Sequence, residues 1–357
     1  MFNVKKLLIC AFIVVGLFLG SLIAFNLWRK RAQKSVPVVE QVEIEESAQE
    51  LMEDMIPRPV LLPKLEAAQE KNKDVVAWIY VPGTNIDFPV MQSDKDYTRQ
   101  SPREEFYLHH DENGKRSLSG SIYTHKQSVL SSRESLSRNL WLNGHSMEED
   151  MKKNAASQRM FAQVHKFFDA RFAFRTPYFF IAIPGEVLVY KVFAVFITEV
   201  PYRKHSPPGA FLFYSSDFPR NSDGPNFKGG DGSGPAPLSP ESGLSWTQVL
   251  ANEAKLRSLY NYEDVPIGPD DKVGTLSTCT YEYGSTGSAN CETTACVVQG
   301  ILISRDEKLR DKARLRKNPN PKPPQGLPNP SVKVVYEAHG DIPDDIAESE
   351  GEAAFAG

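Results

Sequence analysis

Two residues in this chain have the type and setting for nucleophilic chemistry, and each closes an apolar run. Cys279 ends TLSTC and precedes a loop rich in Gly, Ser and Thr; His145 ends NLWLNGH and follows Gly144. A cysteine attacks a carbonyl carbon as the thiolate, so it needs a base or cation nearby and donors for the developing oxyanion. A histidine at a strand end beside a glycine can turn its ring into an open cleft. The other histidines have blander settings. His165 sits within an apolar stripe, His109 and His110 lie in a polar loop beside Asp111, His205 precedes a Gly/Pro-rich stretch, and His339 is near the C-terminus. His125 follows a strand-like run and stays open. Cys291 and Cys296 leave two readings, a short disulfide or a loop thiol and a core thiol. Their spacing to Cys279 matches no common zinc pattern, so neither metal nor cofactor is expected.

The elements that must position these residues read mainly as strands. VVAWIYV and IDFPVM flank a P-G-T-N turn, and further strand-like runs are GSIYT (120–124), RNLWLNGH (138–145), YFFIAI (178–183), VLVYKVFAVFITEV (187–200), KVGTLSTC (272–279) and TTACVVQGILI (293–303). Two longer helices interrupt them. Residues 157–172 place Met160, Phe161, Val164, Phe167 and Phe168 on one stripe. Residues 245–260 open with Ser245 and Gln248 in capping-box spacing and offer Trp246, Val249, Leu250, Leu256 and Tyr260 as a buried face. A shorter surface helix is expected over 63–74. About eight strands with few helices predict a mainly β domain, a closed or nearly closed barrel.

Composition sets the outer limits. Hydrophobic residues make up 41% of the chain, enough for a core, and the net charge of −4 gives no footprint for nucleic acid. Leu7 to Trp28 is an uncharged apolar run whose length as a helix, about 33 Å, spans a bilayer core. No small-residue cleavage pattern follows it, so residues 1–34 read as an uncleaved anchor. Basic residues flank it on both sides, so charge alone does not orient it. Residues 35–62 read as a stalk, and the main domain is expected over 63–304. Within it, 219–243 is so rich in Gly and Pro that it reads as a flexible insertion. Residues 305–357, charged, then Pro-rich, then acidic, read as a disordered tail with a possible short strand at VKVVY (332–336). LPNPS within that tail is not followed by an apolar stretch and is not taken as a sorting signal.

The order of these motifs resembles the sortase family, its class B branch in particular. The resemblance covers roughly residues 65–304. It rests on AWIYVPGTNIDFPVMQ, GSIYTH, NLWLNGHSM, a helix-bearing excursion at 245–260, and TLSTCTYE. What it implies is an eight-stranded sortase-type closed barrel with peripheral helices and an N-terminal transmembrane helix, held at the cell membrane with its catalytic domain outside. Sortases are transpeptidases. The resemblance makes Cys279 the nucleophile that cleaves a C-terminal sorting signal through a thioacyl intermediate. His145 becomes the acid and base, and Thr278 and Thr280 help to bind the oxyanion or orient substrate. The partners it implies are secreted proteins bearing that signal and an amine acceptor from the cell wall or a pilin.

One part of the pattern is absent. Where sortases carry an arginine on the strand after the cysteine, ACVVQG places Ala295, and no basic residue lies between Cys279 and Arg305. A guanidinium offers forked, permanently charged donors, and losing one oxyanion donor costs roughly 10²–10³ in rate. Arg305 or a residue of the excursion is therefore expected to reach the site, or the strand register differs. Two alternatives follow from the gap: a weakened sortase relative that binds or scaffolds at the surface, and a cysteine hydrolase in which water replaces the amine.

Overall fold

A computed structural model describes residues 56–93, 106–125, 128–147, 159–199, 244–280 and 294–324. The apolar run Leu7–Trp28, the Gly/Pro-rich insertion, Cys291 and VKVVY lie outside them. Among the described residues no helix is long and apolar enough to cross a membrane.

All eight strand-like runs form strands, and together they close one barrel. In chain order these are β1 (Val75–Tyr80), β2 (Asp87–Met91), β3 (Ile122–Thr124), β4 (Asn139–Asn143), β7 (Tyr178–Ile183), β8 (Glu186–Glu199), β10 (Val273–Cys279) and β11 (Thr294–Leu302). Around the barrel the order is β1-β2-β3-β4-β10-β11-β8-β7. Two short ribbons accompany it: β5 (Ser146–Met147) with β6 (Arg159–Met160), and β9 (Tyr260–Tyr262) with β12 (Leu315–Lys317). Most pairs are antiparallel, but β4 runs parallel to β10. Parallel neighbours need a long connection, and here everything from β5 to β9 lies between them.

The barrel interior is marked by two glycines. A methyl group added at Gly274 of β10 would come within 2.7 Å of the Tyr190 ring and 3.0 Å of Phe179; one at Gly300 of β11 would come within 2.7 Å of Phe179. Phe179 and Tyr190 stack at 5.1 Å and are fully buried. Phe179 belongs to β7, so its reach to β10 crosses the interior, and side chains without bulk are what let two rings fill it. Alternation along each strand then turns Thr275, Ser277 and Cys279 of β10, and Ala295, Val297 and Gln299 of β11, to the outer face.

Three expectations change in detail. The first helix, α1, spans Arg58–Lys71, earlier than the run 63–74, and continues through Pro63. Leu61 and Leu65, four apart, are both 1% exposed; their burial outweighs the hydrogen bond a proline removes. The domain therefore begins within the stretch read as stalk. Residues 157–172 are not one α-helix. Met160 has φ of 58°, Ala162–Phe168 form a 3₁₀ helix, and Asp169 caps the short α2 (Ala170–Arg175) through its side chain. The buried Phe161, Val164 and Phe167 recur every third residue, the period of a 3₁₀ helix. The segment after Arg305 is not wholly an unstructured tail. β12 pairs with β9, Asn318 N donates to Leu259 O at 2.9 Å, and Lys322 N donates to Leu256 O at 2.8 Å.

The excursion helix, α3 (Trp246–Arg257), carries the anticipated capping box: Gln248 N donates to Ser245 Oγ and Ser245 N to Gln248 Oε1. Its buried face is Leu250, Ala251 and Ala254, while Leu256 points outward at 57% exposure. Small residues on that face let α3 lie close on β8.

Candidate active site

His145 and Cys279 come together through the β4–β10 ladder. Asn139 to Asn143 pair in register with Val273 to Ser277. The ladder runs one step further: Gly144 N donates to Ser277 O at 3.3 Å, and Thr278 Oγ1 donates to Gly144 O at 2.8 Å. The next pair in the same register is His145 and Cys279. Adjacent strands lie about 4.8 Å apart, so the two residues stand on neighbouring backbones at one barrel end.

The imidazole is fixed from the opposite side. His145 Nε2 lies 3.0 Å from Leu108 O, and Phe161 N donates to His145 O at 3.1 Å. A carbonyl only accepts, so Nε2 carries a proton, and in the neutral ring Nδ1 is left as the acceptor. Burial pushes the His145 pKa down, and the neighbouring His109 pushes it further; the Leu108 carbonyl opposes both. Cys279 is exposed, yet the protein packed around its sulfur pushes the thiol pKa up. Both shifts favour the uncharged thiol and imidazole.

Thr278 is placed differently from the role expected of it. Its side chain sits one step from Cys279, turned to the interior, 1% exposed, with its hydroxyl donating to Gly144 O. It ties the histidine strand to the cysteine strand and does not face the thiol. Thr280 is fully buried. That leaves backbone amides as the oxyanion donors this strand can offer.

Cys279 pairs directly with Ala295, and Ala295 with Thr198 of β8. These three form one row on the outer face. Cys296 pairs with Thr278 and is buried on the interior face. Arg305, named from sequence as a residue that could reach the site, does not lie near this row. It follows the far end of β11, which is about 30 Å long, and there pairs with Glu186 at 2.8 Å and Glu134 at 3.5 Å. The row instead leads to Arg257 at the C-terminus of α3. Its Nη1 lies 3.5 Å from Thr198 Oγ1, and its Nε pairs with Glu253 Oε1 at 2.9 Å. The residues after it are stitched to β8: Leu259 N donates to Val195 O at 2.8 Å and Val195 N to Ser258 Oγ at 3.0 Å. Glu253 is shared with Lys322 Nζ at 2.5 Å, so one carboxylate faces two cations. Arg257 was not singled out from sequence, where its helix was legible but its distance from the cysteine row was not.

Known proteins similar to this chain include three sortases B. The chain is 25% identical over 243 residues to sortase B of Listeria monocytogenes, covering 68% of this chain and 75% of that protein. Among solved structures it is similar to Clostridium perfringens sortase B, with 24% identity and a TM-score of 0.46, covering 67% of this chain and 99% of the other. It is also similar to Staphylococcus aureus sortase B, with 21% identity and a TM-score of 0.48, covering 73% and 96%. No family model matches the chain.

Proposed function

We propose that this chain, similar in sequence to the class B sortases, is a cysteine transpeptidase acting on a C-terminal sorting signal of secreted proteins. The observation that carries the reading is the parallel register that makes His145 and Cys279 neighbours. In this mechanism Cys279 sulfur attacks the scissile carbonyl as its proton passes to His145 Nδ1. The carbon–nitrogen bond breaks, His145 returns the proton to the leaving amine, and the acyl group stays on sulfur as a thioester. An incoming amine attacks that thioester, His145 takes its proton, and sulfur leaves with a new amide formed.

In this reading Arg257 is the site's cation, set at the end of the row that Ala295 leaves without charge. The apolar run Leu7–Trp28 would hold the enzyme on the membrane with the barrel outside. The acceptor is an amine of the cell wall or of a pilin.

The test is intact-mass spectrometry of the full chain in detergent after incubation with a panel of sorting-signal peptides. A covalent adduct of the acyl fragment, absent in Cys279→Ala and released by an added amine, is the expected result. Release by water at the same rate with or without amine would make the protein a hydrolase. No adduct with any peptide would overturn the enzymatic reading in favour of a binding module.

A further inference from the structure

The segment Phe106–His110 does more than close a loop. It delivers the Leu108 carbonyl to His145 Nε2 at 3.0 Å and sets the His109 ring 5.9 Å from the His145 ring, tilted by 51°. The segment is itself held on every side. Tyr107 is 2% exposed, donates its hydroxyl to Asp74 Oδ2 at 2.8 Å, and accepts from Asn72 Nδ2 at 3.0 Å. The His110 ring stacks on Phe106 with centroids 3.7 Å apart, and its Nδ1 lies 2.8 Å from Phe106 O. Ser117 N donates to His109 O and Ser121 N to Tyr107 O, both at 2.9 Å.

Gly120 completes the arrangement. Its φ is 56°, and a methyl group there would lie 2.3 Å from Leu108 O. That oxygen is the one His145 uses. Any side chain at position 120 therefore displaces the acceptor that selects the imidazole tautomer.

We propose that His109, with Leu108 O and Gly120 behind it, is a positioning partner of His145: the segment holds the ring as the Nε2-protonated tautomer, and the second imidazole resists a second proton beside it. The proposal rests on His145 as the base of the reaction above. At this ring distance a positive charge on His109 disfavours one on His145. Burial first, and the His109 ring after it, keep the His145 imidazole neutral further into acid than an isolated histidine, and with Nε2 donating to Leu108 O the lone pair is left on Nδ1. The titratable residues on the described elements around His145 include Tyr107, His109 and His110 on this segment and Cys279 on β10. His165 and Lys166 lie on the 3₁₀ helix that follows Phe161. His109 is the residue in ring contact and acts on the imidazole directly; the rest of the segment acts through the Leu108 carbonyl.

The test reads the imidazole and needs no substrate, so it stands apart from the acylation assay. The full chain in detergent, labelled with ¹⁵N-histidine, is titrated by NMR, the His145 signals being assigned from their loss in His145→Gln. In the wild type, His145 is expected to titrate below an ordinary histidine, with nitrogen shifts of an Nε2-protonated ring. His109→Gln moves its midpoint upward and leaves the tautomer. Gly120→Ala, judged only if its circular dichroism and melting remain cooperative, gives a mixture of tautomers. A His145 midpoint unchanged in His109→Gln would overturn the proposal, as would a wild-type ring protonated on Nδ1. If peptides do acylate Cys279, the acid limb of kcat/KM moves upward in His109→Gln in step with the NMR midpoint.

Discussion

Replacing Thr278 by valine separates two accounts of the residue beside the cysteine. Valine keeps the β-branched shape and removes only the hydroxyl. The native hydroxyl donates to Gly144 O at 2.8 Å from a site 1% exposed. Without it a carbonyl in the parallel ladder loses its side-chain donor where water has little access, a loss that typically costs about 1–3 kcal/mol. For a domain of this size each kcal/mol lowers Tm by roughly 2–4 °C. Thr278→Val is therefore expected to melt several degrees lower, with an unchanged denaturant m-value. Single-turnover acylation at a temperature where both proteins are fully folded should fall by no more than about tenfold, since the hydroxyl lies on the face away from the thiol. If Thr278 were an oxyanion donor, the pattern would invert: near-native stability and an acylation rate down by roughly 10²–10³. Native melting together with a collapsed rate would refute the ladder argument for this residue.

Two further expectations follow from the same framework. Arg257→Gln should lower acylation kcat/KM by at least about tenfold, with Arg257→Lys intermediate because the ammonium keeps the charge but not the fork. Arg305→Gln, at the far end of β11, should leave the rate unchanged; equal loss from both would remove Arg257 from the site. Gly274→Ala drives a methyl group against Tyr190 and Phe179 at 2.7 and 3.0 Å and should destabilise the domain by about 1–3 kcal/mol in denaturant melts; a neutral result would mean the two rings do not fill the barrel there.

The strands were legible because their signal is local. VVAWIY, YFFIAI and TACVVQGIL are β-branched and aromatic runs, and no packing context was needed to read them. The 3₁₀ helix was misread because Phe161, Val164 and Phe167 satisfy a helical stripe at either period, and Phe168 extends the apolar face toward an α reading. Pro63 suggested a helix start, but the anchoring leucines lie on both sides of it. The cysteine and histidine could be chosen from their flanks, but not the carbonyl of Leu108 or the ring of His109, because a loop of polar residues carries no sign of what it faces. Arg257 was hidden for a related reason. Its place depends on Ser258 and Leu259 binding β8, a contact between residues some sixty positions apart.

The parallel pairing of β4 with β10 carries a consequence for how the protein is made. The histidine strand ends at Asn143, and its partner does not begin until Val273. A chain emerging from the ribosome exposes the imidazole long before the sulfur exists beside it. Even after β10 appears, β11 and the Leu315–Lys317 ribbon must follow before the cysteine strand is flanked on both sides and the end of α3 is fastened. A chain ended before Val273 would therefore carry the histidine without its cysteine, and one ended just after Cys279 would carry both residues with the cysteine strand unpaired on the β11 side.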